Sequence, residues 1–212
     1  MERGATLRTL PRPPVWYEVT KRGLDILVAT FGLFLAMPFT AVVALGILLE
    51  DGRPIFYRQT RVGKDGRLFR ITKFRSMVKD AEKHTGPVLA TANDPRITRM
   101  GSILRKTAQD ELPQLWNILK GEMSFVGPRP ERPEFVRKFV ETIPGYDLRH
   151  TVRPGLAGMA QVYGRYETAA EDKLRYDLAY LRRRSLSLDA TLFFAAWGNT
   201  FKARWDSAEG KR

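Results

Sequence analysis

Hydrophobic and polar residues are unevenly distributed along the chain, and the longest stretch without a charged residue covers residues 26–49. A helix needs about 20 apolar residues to cross the hydrocarbon core of a bilayer, and this stretch is long enough. It is too long for the apolar region of a cleaved signal peptide, and no small-residue cleavage site follows it. A buried helix of a soluble protein is the less favoured alternative, so the pattern predicts a membrane segment.

Pro38 lies near the centre of this segment, where it removes a backbone donor and predicts a bend. Basic residues, which favour the cytoplasmic side, occur on both flanks. They are Arg3, Arg8, Arg12, Lys21 and Arg22 before the segment, and Arg53, Arg58, Arg61, Lys64 and Arg67 after it. A straight span would place one group on the wrong side. We therefore favour a re-entrant helix, broken at Pro38, in which Thr40 or neighbouring protein satisfies the freed backbone groups.

Two short extended runs follow the membrane segment, at residues 54–59 and 68–74. They are joined through Asp65 and Gly66, a pair that tolerates positive φ at both positions and is typical of a hairpin turn. The sequence therefore predicts a small antiparallel hairpin.

Basic residues at two places are candidates for binding phosphate. Lys73, Arg75 and Ser76 lie at the exit of the second run, although a solvated basic edge is the commoner meaning of such a cluster. Arg129 lies between two prolines, which restrict the backbone and suit an arginine that recognises phosphate with its planar fork. A turn whose arginine faces water is an equal alternative.

Two adjacent carboxylates, Asp110 and Glu111, stand where a central helix should begin. The helix is predicted from apolar residues at i, i+3, i+4 and i+7 and from signals at both ends. The core-facing stripe is Leu112, Leu115, Trp116 and Leu119, Pro113 lies in the first turn, and Gly121 marks the end. The acids could simply cap this helix, because acidic side chains are favoured at helix amino termini.

The segment before the acids, residues 94–106, predicts a short helix. We expect it to turn Ile103 and Leu104 inward and Arg105 and Lys106 outward. This helix brings the chain to the acidic pair, so two cations are expected beside the carboxylates.

Most of the remaining segments are predicted to form helices. Residues 1–22 form an arm ending in Trp16 and Tyr17, which favour a membrane interface, although a disordered tail is an equal alternative. Further helices are predicted within residues 77–92, which include a mobile loop near Gly86, and within residues 133–143, 169–183 and 190–205. The last is aromatic and ends in basic residues, which favours an interfacial segment over a core helix. Glycines within residues 152–165 are interpreted as points of close backbone approach.

Composition narrows the possible chemistry. The 36 Lys and Arg residues exceed the 23 Asp and Glu residues, and the net charge of +13 points to anionic partners: nucleic acid, lipid headgroups or phosphorylated small molecules. The absence of cysteine excludes thiol chemistry, and two isolated histidines disfavour a zinc site. The predicted fold is α+β and mostly helical, with an arm (1–22), a membrane helix (23–50) and a cytoplasmic catalytic domain (51–212).

A membrane segment, a basic body and an acidic pair near several arginines suit an anionic substrate that meets a second substrate held in the lipid. A carboxylate can attack phosphorus and form a covalent intermediate, which divides one transfer into two easier steps. Carboxylates also bind Mg²⁺, which neutralises a diphosphate. The pattern therefore favours phosphoryl-transfer chemistry at Asp110 and Glu111.

A series of linked motifs runs through the chain in order. They are KRGLD (21–25), QTRVG (59–63), KFRSM (73–77), DPRIT (94–98), LRK (104–106), DELPQLWN (110–117), GEMS (121–124), VGPRPE (126–131) and RPG (153–155). Over roughly residues 17–200 the chain resembles the bacterial sugar transferase family, the monotopic phosphoglycosyl transferases or polyprenyl-phosphate hexose-1-phosphate transferases. Its length resembles the minimal catalytic form.

The resemblance implies transfer of a sugar-1-phosphate from a UDP-sugar to undecaprenyl phosphate, with release of UMP. This is the first membrane step of polysaccharide or glycoconjugate assembly, at the cytoplasmic face of the bacterial inner membrane. The implied roles are Asp110 as nucleophile, Glu111 with Asp110 in Mg²⁺ binding, Arg105 and Arg129 near phosphate groups, Lys73 and Arg75 close by, and Pro38 as the helix-breaking proline. A homo-oligomer is compatible with the sequence, and the identity of the sugar is left open.

Three positions depart from the pattern of the family. Gln109 stands where leucine is common, Ala157 where threonine is common, and Met37 where a serine commonly precedes the helix-breaking proline. None of these removes a catalytic group. The third weakens the account of how the bend at Pro38 is stabilised.

A function of a different class is a non-catalytic, basic, membrane-associated scaffold or a nucleic-acid-binding protein. It predicts steeply salt-dependent binding to anionic polymers or lipids, with Asp110 and Glu111 dispensable. Acids clustered beside the arginines would weaken such a binder, and no nucleic-acid-binding motif is present, so the enzyme is favoured and no nucleic-acid partner is expected.

Overall fold

The fold consists mostly of helices with two small sheets, in a computed structural model that describes residues 10–83, 86, 88, 94–164 and 168–201. The α-helices are α1 Val15–Asp51, α2 Arg99–Lys106, α3 Gln114–Lys120, α4 Pro133–Thr142, α5 Met159–Tyr163, α6 Ala170–Arg183 and α7 Leu186–Phe201. The strands are β1 Phe56–Val62, β2 Leu68–Phe74, β3 Ser124–Val126 and β4 Gly155–Ala157, and 3-10 turns cover Lys64–Gly66, Gln109–Glu111 and Tyr146–Thr151. The predicted α+β class with a helical majority is confirmed.

Helix α1 begins at Val15, so it includes residues that the sequence analysis assigned to the arm. Residues 1–9 of that arm lie outside the described residues. The helix is continuous from Val15 through Pro38 to Asp51, although proline removes one backbone donor from it. Within the described ranges, α1 is the one helix that is long and apolar enough to cross a membrane by length and composition. The re-entrant path stays a prediction.

Polar side chains near both ends of α1 bind the rest of the protein. At the amino-terminal end, Tyr17 and Lys21 contact Asp189, Arg22 donates to the carbonyls of Ile118 and Leu119, and Asp25 accepts from Ser124 and from the Phe125 amide. At the other end, Glu50 accepts from the amides of Arg99 and Met100, and Arg75 donates to the carbonyls of Asp51 and Gly52. The middle of the helix around Pro38 is largely exposed.

Strands β1 and β2 form the predicted antiparallel hairpin. Their register runs from Phe56 opposite Phe74 to Val62 opposite Leu68. The turn has positive φ at Asp65 (54°) and at Gly66 (75°), which confirms the turn expected from this pair. The local sequence was sufficient here because only a few residues tolerate those dihedral angles.

Side chains of β2 alternate between two faces. Phe69 and Ile71 are buried in a hydrophobic cluster with Leu115 and Ile118 of α3. Lys73 follows on the same face, since side chains two apart in a strand point the same way. The alternation therefore aims this lysine toward α3.

Helix α2 lies within the predicted segment but begins at Arg99, five residues after the predicted start, with Thr98 accepting a hydrogen bond from the Gly101 amide at 2.9 Å. Leu104 is buried as expected, but Ile103 is exposed, so its predicted inward orientation is wrong. Adjacent helical residues point about 100° apart, and only one of the two can face the body. Residues 77–83 lie in a β-bridge and turns rather than a helix, and most of the following loop lies outside the described residues.

Helix α3 packs on α1 and the hairpin through Leu115 and Ile118, with Leu112 and Leu119 partly buried against the same cluster. Trp116 is 56% exposed, so its predicted place in the core-facing stripe is wrong. The stripe is narrower than expected because the buried face of this short helix is centred between Leu115 and Ile118.

Two further hydrophobic clusters hold the body together. The larger joins α4, α6 and α7 to β3 and β4, and the smaller joins the carboxyl-terminal part of α1 to Phe74 and Leu104. Leu112 packs against both this smaller cluster and the cluster beneath α3. The two halves of α1 therefore pack on neighbouring parts of one body.

Close backbone approach at the second sheet confirms the interpretation of the glycines there. Strands β3 and β4 are parallel, with Ser124 opposite Gly155. A Cβ atom on Gly155 would lie 2.2 Å from the amide nitrogen of Gly127, so a side chain at this position would collide with backbone.

Helix α6 matches its predicted range to within one residue, whereas α7 begins at Leu186, four residues before the predicted start. Leu174, Leu178 and Leu181 are buried on one face of α6. In α7, Leu192 is fully buried, whereas Phe194 and Trp197 are exposed. Helix α7 therefore has a core face and an exposed aromatic face; an interfacial position stays a prediction, and residues 202–205 lie outside the described chain.

Candidate active site

The two acids lie in a 3-10 turn that connects α2 to α3. Ala108 precedes this turn with a left-handed φ of 53°, an arrangement that costs an alanine about 1 kcal/mol and reverses the chain. Pro113 forms the amino-terminal cap of α3, and no side chain caps this helix. The simple capping interpretation of Asp110 and Glu111 is therefore wrong, and their side chains are available for other contacts.

Glu111 is held between two cations that come from distant parts of the chain. Lys73 Nζ, at the end of β2, lies 2.5 Å from Glu111 Oε1, and Arg129 donates an Nη2 hydrogen bond to the same oxygen at 2.6 Å. Burial alone would raise the pKa of Glu111, but Arg129 and Lys73 outweigh it and hold this pKa well below its ordinary value. The two cations thus favour the ionised form of Glu111.

Asp110 is also buried, with 8% of its surface exposed, but it has weaker ionic contacts. Lys73 Nζ lies 3.8 Å from its Oδ2. Burial raises the pKa of Asp110 and the negative charge of Glu111 adds to the effect, while Lys73, Arg105 and Arg129 oppose it. The site therefore moves the pKa values of two neighbouring acids in opposite directions, and Asp110 is the more basic carboxylate.

The predicted phosphate-binding residues divide into those near the acids and one that faces elsewhere. Lys73 and Arg129 contact Glu111, and Arg105 approaches from α2 with its Nε donating to Ser76 Oγ at 2.9 Å. Arg75 is 5% exposed, and its guanidinium donates to carbonyls at the end of α1, with Asp51 as its ionic partner at 3.1 Å. The structure brings three of the four cations to the acid pair.

A buried ion pair that the sequence analysis did not predict lies behind Arg129. Arg149 donates to the backbone carbonyl of Arg129 at 2.9 Å and to the hydroxyl of Tyr146 at 2.6 Å. Its Nη2 also lies 2.8 Å from Asp177 Oδ2, and both side chains are no more than 3% exposed. The signal was present in α6, because a carboxylate on the same face as buried Leu174 and Leu181 requires a partner.

Asp110 and Glu111 are the carboxylates that could bind Mg²⁺ at this site. No group of three or more His, Asp or Glu side chains that could hold a metal ion occurs in the part of the chain that the structure describes. Mg²⁺ is commonly bound by one or two carboxylates together with substrate phosphates and water. Lys73 and Arg129 both contact one oxygen of Glu111. The carboxylate oxygens that remain fit a metal ion that is shared with a diphosphate, rather than one enclosed by protein ligands alone.

The fold joins an apolar helix, long enough to cross a membrane, to a body that holds a buried acid pair with three cations nearby. A family model described as bacterial sugar transferase matches residues 16–203. The chain belongs to the bacterial sugar transferase family, which confirms the resemblance found in the sequence.

Three curated relatives are similar to most of this chain, and the names of two of them give a reaction. The chain is 46% identical over 188 residues to the UDP-N-acetylgalactosamine-undecaprenyl-phosphate N-acetylgalactosaminephosphotransferase of Aeromonas hydrophila, covering 87% of this chain and 44% of the relative. It is 43% identical over 182 residues to the UDP-glucose:undecaprenyl-phosphate glucose-1-phosphate transferase of Escherichia coli (strain K12), covering 84% and 39%. It is 40% identical over 184 residues to the exopolysaccharide production protein PSS of Rhizobium leguminosarum bv. phaseoli, covering 83% and 92%. The chain thus spans less than half the length of the first two.

Proposed function

We propose that this protein transfers the sugar-1-phosphate of a UDP-sugar to undecaprenyl phosphate and releases UMP, as a first membrane step of polysaccharide or glycoconjugate assembly. The family and the names of the two transferase relatives support this reaction. The observation that supports this mechanism is the difference between the pKa values of the two acids. Lys73 and Arg129 form ion pairs with Glu111, while the pKa of Asp110 is raised. A more basic carboxylate is a better nucleophile toward phosphorus.

The reaction has two steps. An oxygen of ionised Asp110 attacks the phosphorus that carries the sugar, the bond from this phosphorus to the bridging oxygen breaks, and UMP leaves with that oxygen. A phosphate oxygen of undecaprenyl phosphate then attacks the same phosphorus, the bond to Asp110 breaks, and the carboxylate is restored. The intermediate is an acyl phosphate on Asp110.

The cations have separate tasks in these steps. Arg129 has a side chain that is 37% exposed, so its guanidinium can reach a substrate phosphate while it holds Glu111. Arg105 and Lys73 add positive charge around the oxygens that become negative as UMP leaves. Asp110 and Glu111 would hold Mg²⁺, which neutralises the diphosphate when bound.

The contacts of α1 support a re-entrant path through the cytoplasmic leaflet of the inner membrane. A straight helix of this length would extend about 55 Å. Polar side chains near both ends of α1 nevertheless bind the same body, and the exposed part around Pro38 lies between them. Such an arrangement keeps the acid pair near the membrane surface, where a lipid phosphate can reach it.

The test uses detergent-solubilised protein with a panel of UDP-sugars, Mg²⁺ and undecaprenyl phosphate, and it measures UMP. The wild type should release UMP with at least one sugar, and Asp110→Asn should lower the rate by at least about 10³-fold because it removes the nucleophile. Asp172→Asn, which changes an exposed acid on α6, is the matched control. Without acceptor, mass spectrometry should find a sugar phosphate on the peptide containing Asp110. Full activity of Asp110→Asn would refute the assignment.

A further inference from the structure

Asn117 is fully buried in α3 and uses all the hydrogen-bonding groups of its side chain. Its Oδ1 accepts from the Thr72 amide at 3.2 Å. Its Nδ2 donates to the Arg70 carbonyl at 2.8 Å and to Glu122 Oε2 at 2.6 Å. A buried amide with every group satisfied fixes its neighbours closely, because each lost bond would leave a buried polar atom unpaired.

These bonds attach the hairpin to α3. Arg70 and Thr72 are two residues apart on β2, and their bonded groups lie on the edge that does not face β1. A side chain that accepts from one residue and donates to the residue two before it imitates the pairing of a neighbouring strand. Asn117 therefore occupies the free edge of β2 as a third strand would.

The same attachment controls where Lys73 lies. Lys73 follows Thr72 directly, and it points toward α3 as Phe69 and Ile71 do. Its Nζ contacts Glu111 at 2.5 Å and lies 3.8 Å from Asp110, both of which stand just before the helix that carries Asn117. The lysine and the acids thus belong to two elements that pack through a hydrophobic cluster and are joined beside it by the hydrogen bonds of this buried amide.

We propose that Asn117 is a positioning residue that holds the Lys73 ammonium against the acid pair. The catalytic part of this inference rests on the proposed function. A purely structural role for Asn117 would stabilise the protein without a particular effect on Lys73. The two roles therefore differ in what a substitution does to this lysine.

The first measurement does not depend on activity. The folded protein is treated with an amine-reactive acetylating reagent, and the labelling rate of each lysine is followed by mass spectrometry. In Asn117→Ala, the rate at Lys73 should rise at least about fivefold relative to exposed Lys64, because the ion pair that shields the amine is loosened. Asn199→Ala is the matched control, since it removes an amide that donates to the Val162 carbonyl away from the site. It should leave the ratio unchanged.

The second measurement is the kcat and KM of UMP release. Asn117→Ala should lower kcat by at least about tenfold with KM for the UDP-sugar within about threefold, because misplacement of a charged group by about 1 Å is sufficient for such a loss. In a Lys73→Met background the same substitution should change kcat less than about twofold, because the two residues act through one contact. If Asn117 and Lys73 acted independently, the effects of the two substitutions on kcat would multiply, and the proposal would be overturned.

Each outcome decides the proposal. The proposal is overturned if the ratio of the labelling rates of Lys73 and Lys64 is unchanged in folded Asn117→Ala, whether neither rate changes or both rise equally. If Asn117→Ala does not fold, Asn117→Ser is used, which keeps a hydroxyl that is too short to bridge both backbone groups. A wild type that releases no UMP would refute the proposed function, while the labelling ratio would still show whether Asn117 positions Lys73.

Discussion

Removing one partner of the buried pair of Arg149 and Asp177 should destabilise the protein far more than removing one partner of a surface ion pair of the same length. Arg149→Met leaves the Asp177 carboxylate 1% exposed and without its cation. Removing one partner of a buried pair typically destabilises a protein by about 3–5 kcal/mol. A change of 1 kcal/mol shifts Tm by about 2–4 °C in proteins of this size, so the expected loss is about 6–20 °C.

The chain supplies its own control for this prediction. Arg175 and Asp172 are also 2.8 Å apart, but their side chains are 82% and 50% exposed. Arg175→Met should change stability by less than about 1 kcal/mol, because solvent screens exposed pairs. The assay is thermal unfolding in one detergent, followed by tryptophan fluorescence. Equal shifts in Arg149→Met and Arg175→Met would refute the reasoning.

The pH dependence of the loss is a further part of the same prediction. Burial raises the pKa of Asp177, and Arg149 opposes this increase. Without Arg149 the carboxyl group should take up a proton in the folded state more readily than in the unfolded state. A raised pKa in the fold contributes stability at low pH and loses it as pH rises. Arg149→Met should therefore be less destabilised at pH 5 than at pH 8, and the double variant Arg149→Met, Asp177→Leu should recover most of the loss.

Two other predictions concern the site and its membrane helix. The kcat/KM of UMP release should fall with acidification, at an apparent pKa above the ordinary aspartate value of about 3.9. The reason is that burial raises the pKa of Asp110, and its protonated form cannot attack. A decrease with an apparent pKa at or below the ordinary value would contradict this prediction. Cysteines introduced as Arg12→Cys and Lys64→Cys into this cysteine-free chain should both be protected from an impermeant reagent added outside spheroplasts. Labelling of one of them from outside would establish a span.

The parts of the structure that depend on short sequence segments were predictable. The positive φ angles at Asp65 and Gly66 and the position of the acids before α3 follow from residues within a few positions of one another. Trp116 and Ile103 were assigned wrongly because periodicity locates an apolar face but does not give its width or its partner. In a protein proposed to lie on a membrane, an apolar side chain has two favourable environments, the core and the lipid.

The contacts that organise the site could not be predicted in the same way. The bonds of Asn117 to β2 and of Arg149 to the Arg129 carbonyl join residues that are far apart in the sequence. A single sequence can show which side chains would need a partner if buried. Asp177, on the buried face of α6, carried this signal, although its ion pair was not predicted. A single sequence does not identify which partner the chain brings to them, because that depends on how elements pack.

The polar contacts of α1 have a consequence for how this protein is made and truncated. This helix supplies the partners for the last carbonyls of α3, for the amide at the centre of β3 and for the first amides of α2. A fragment that lacks α1 would lose all of these hydrogen bonds, so the helix cannot be treated as a detachable anchor. Because α1 precedes these elements in the chain, it leaves the ribosome before the groups that it binds.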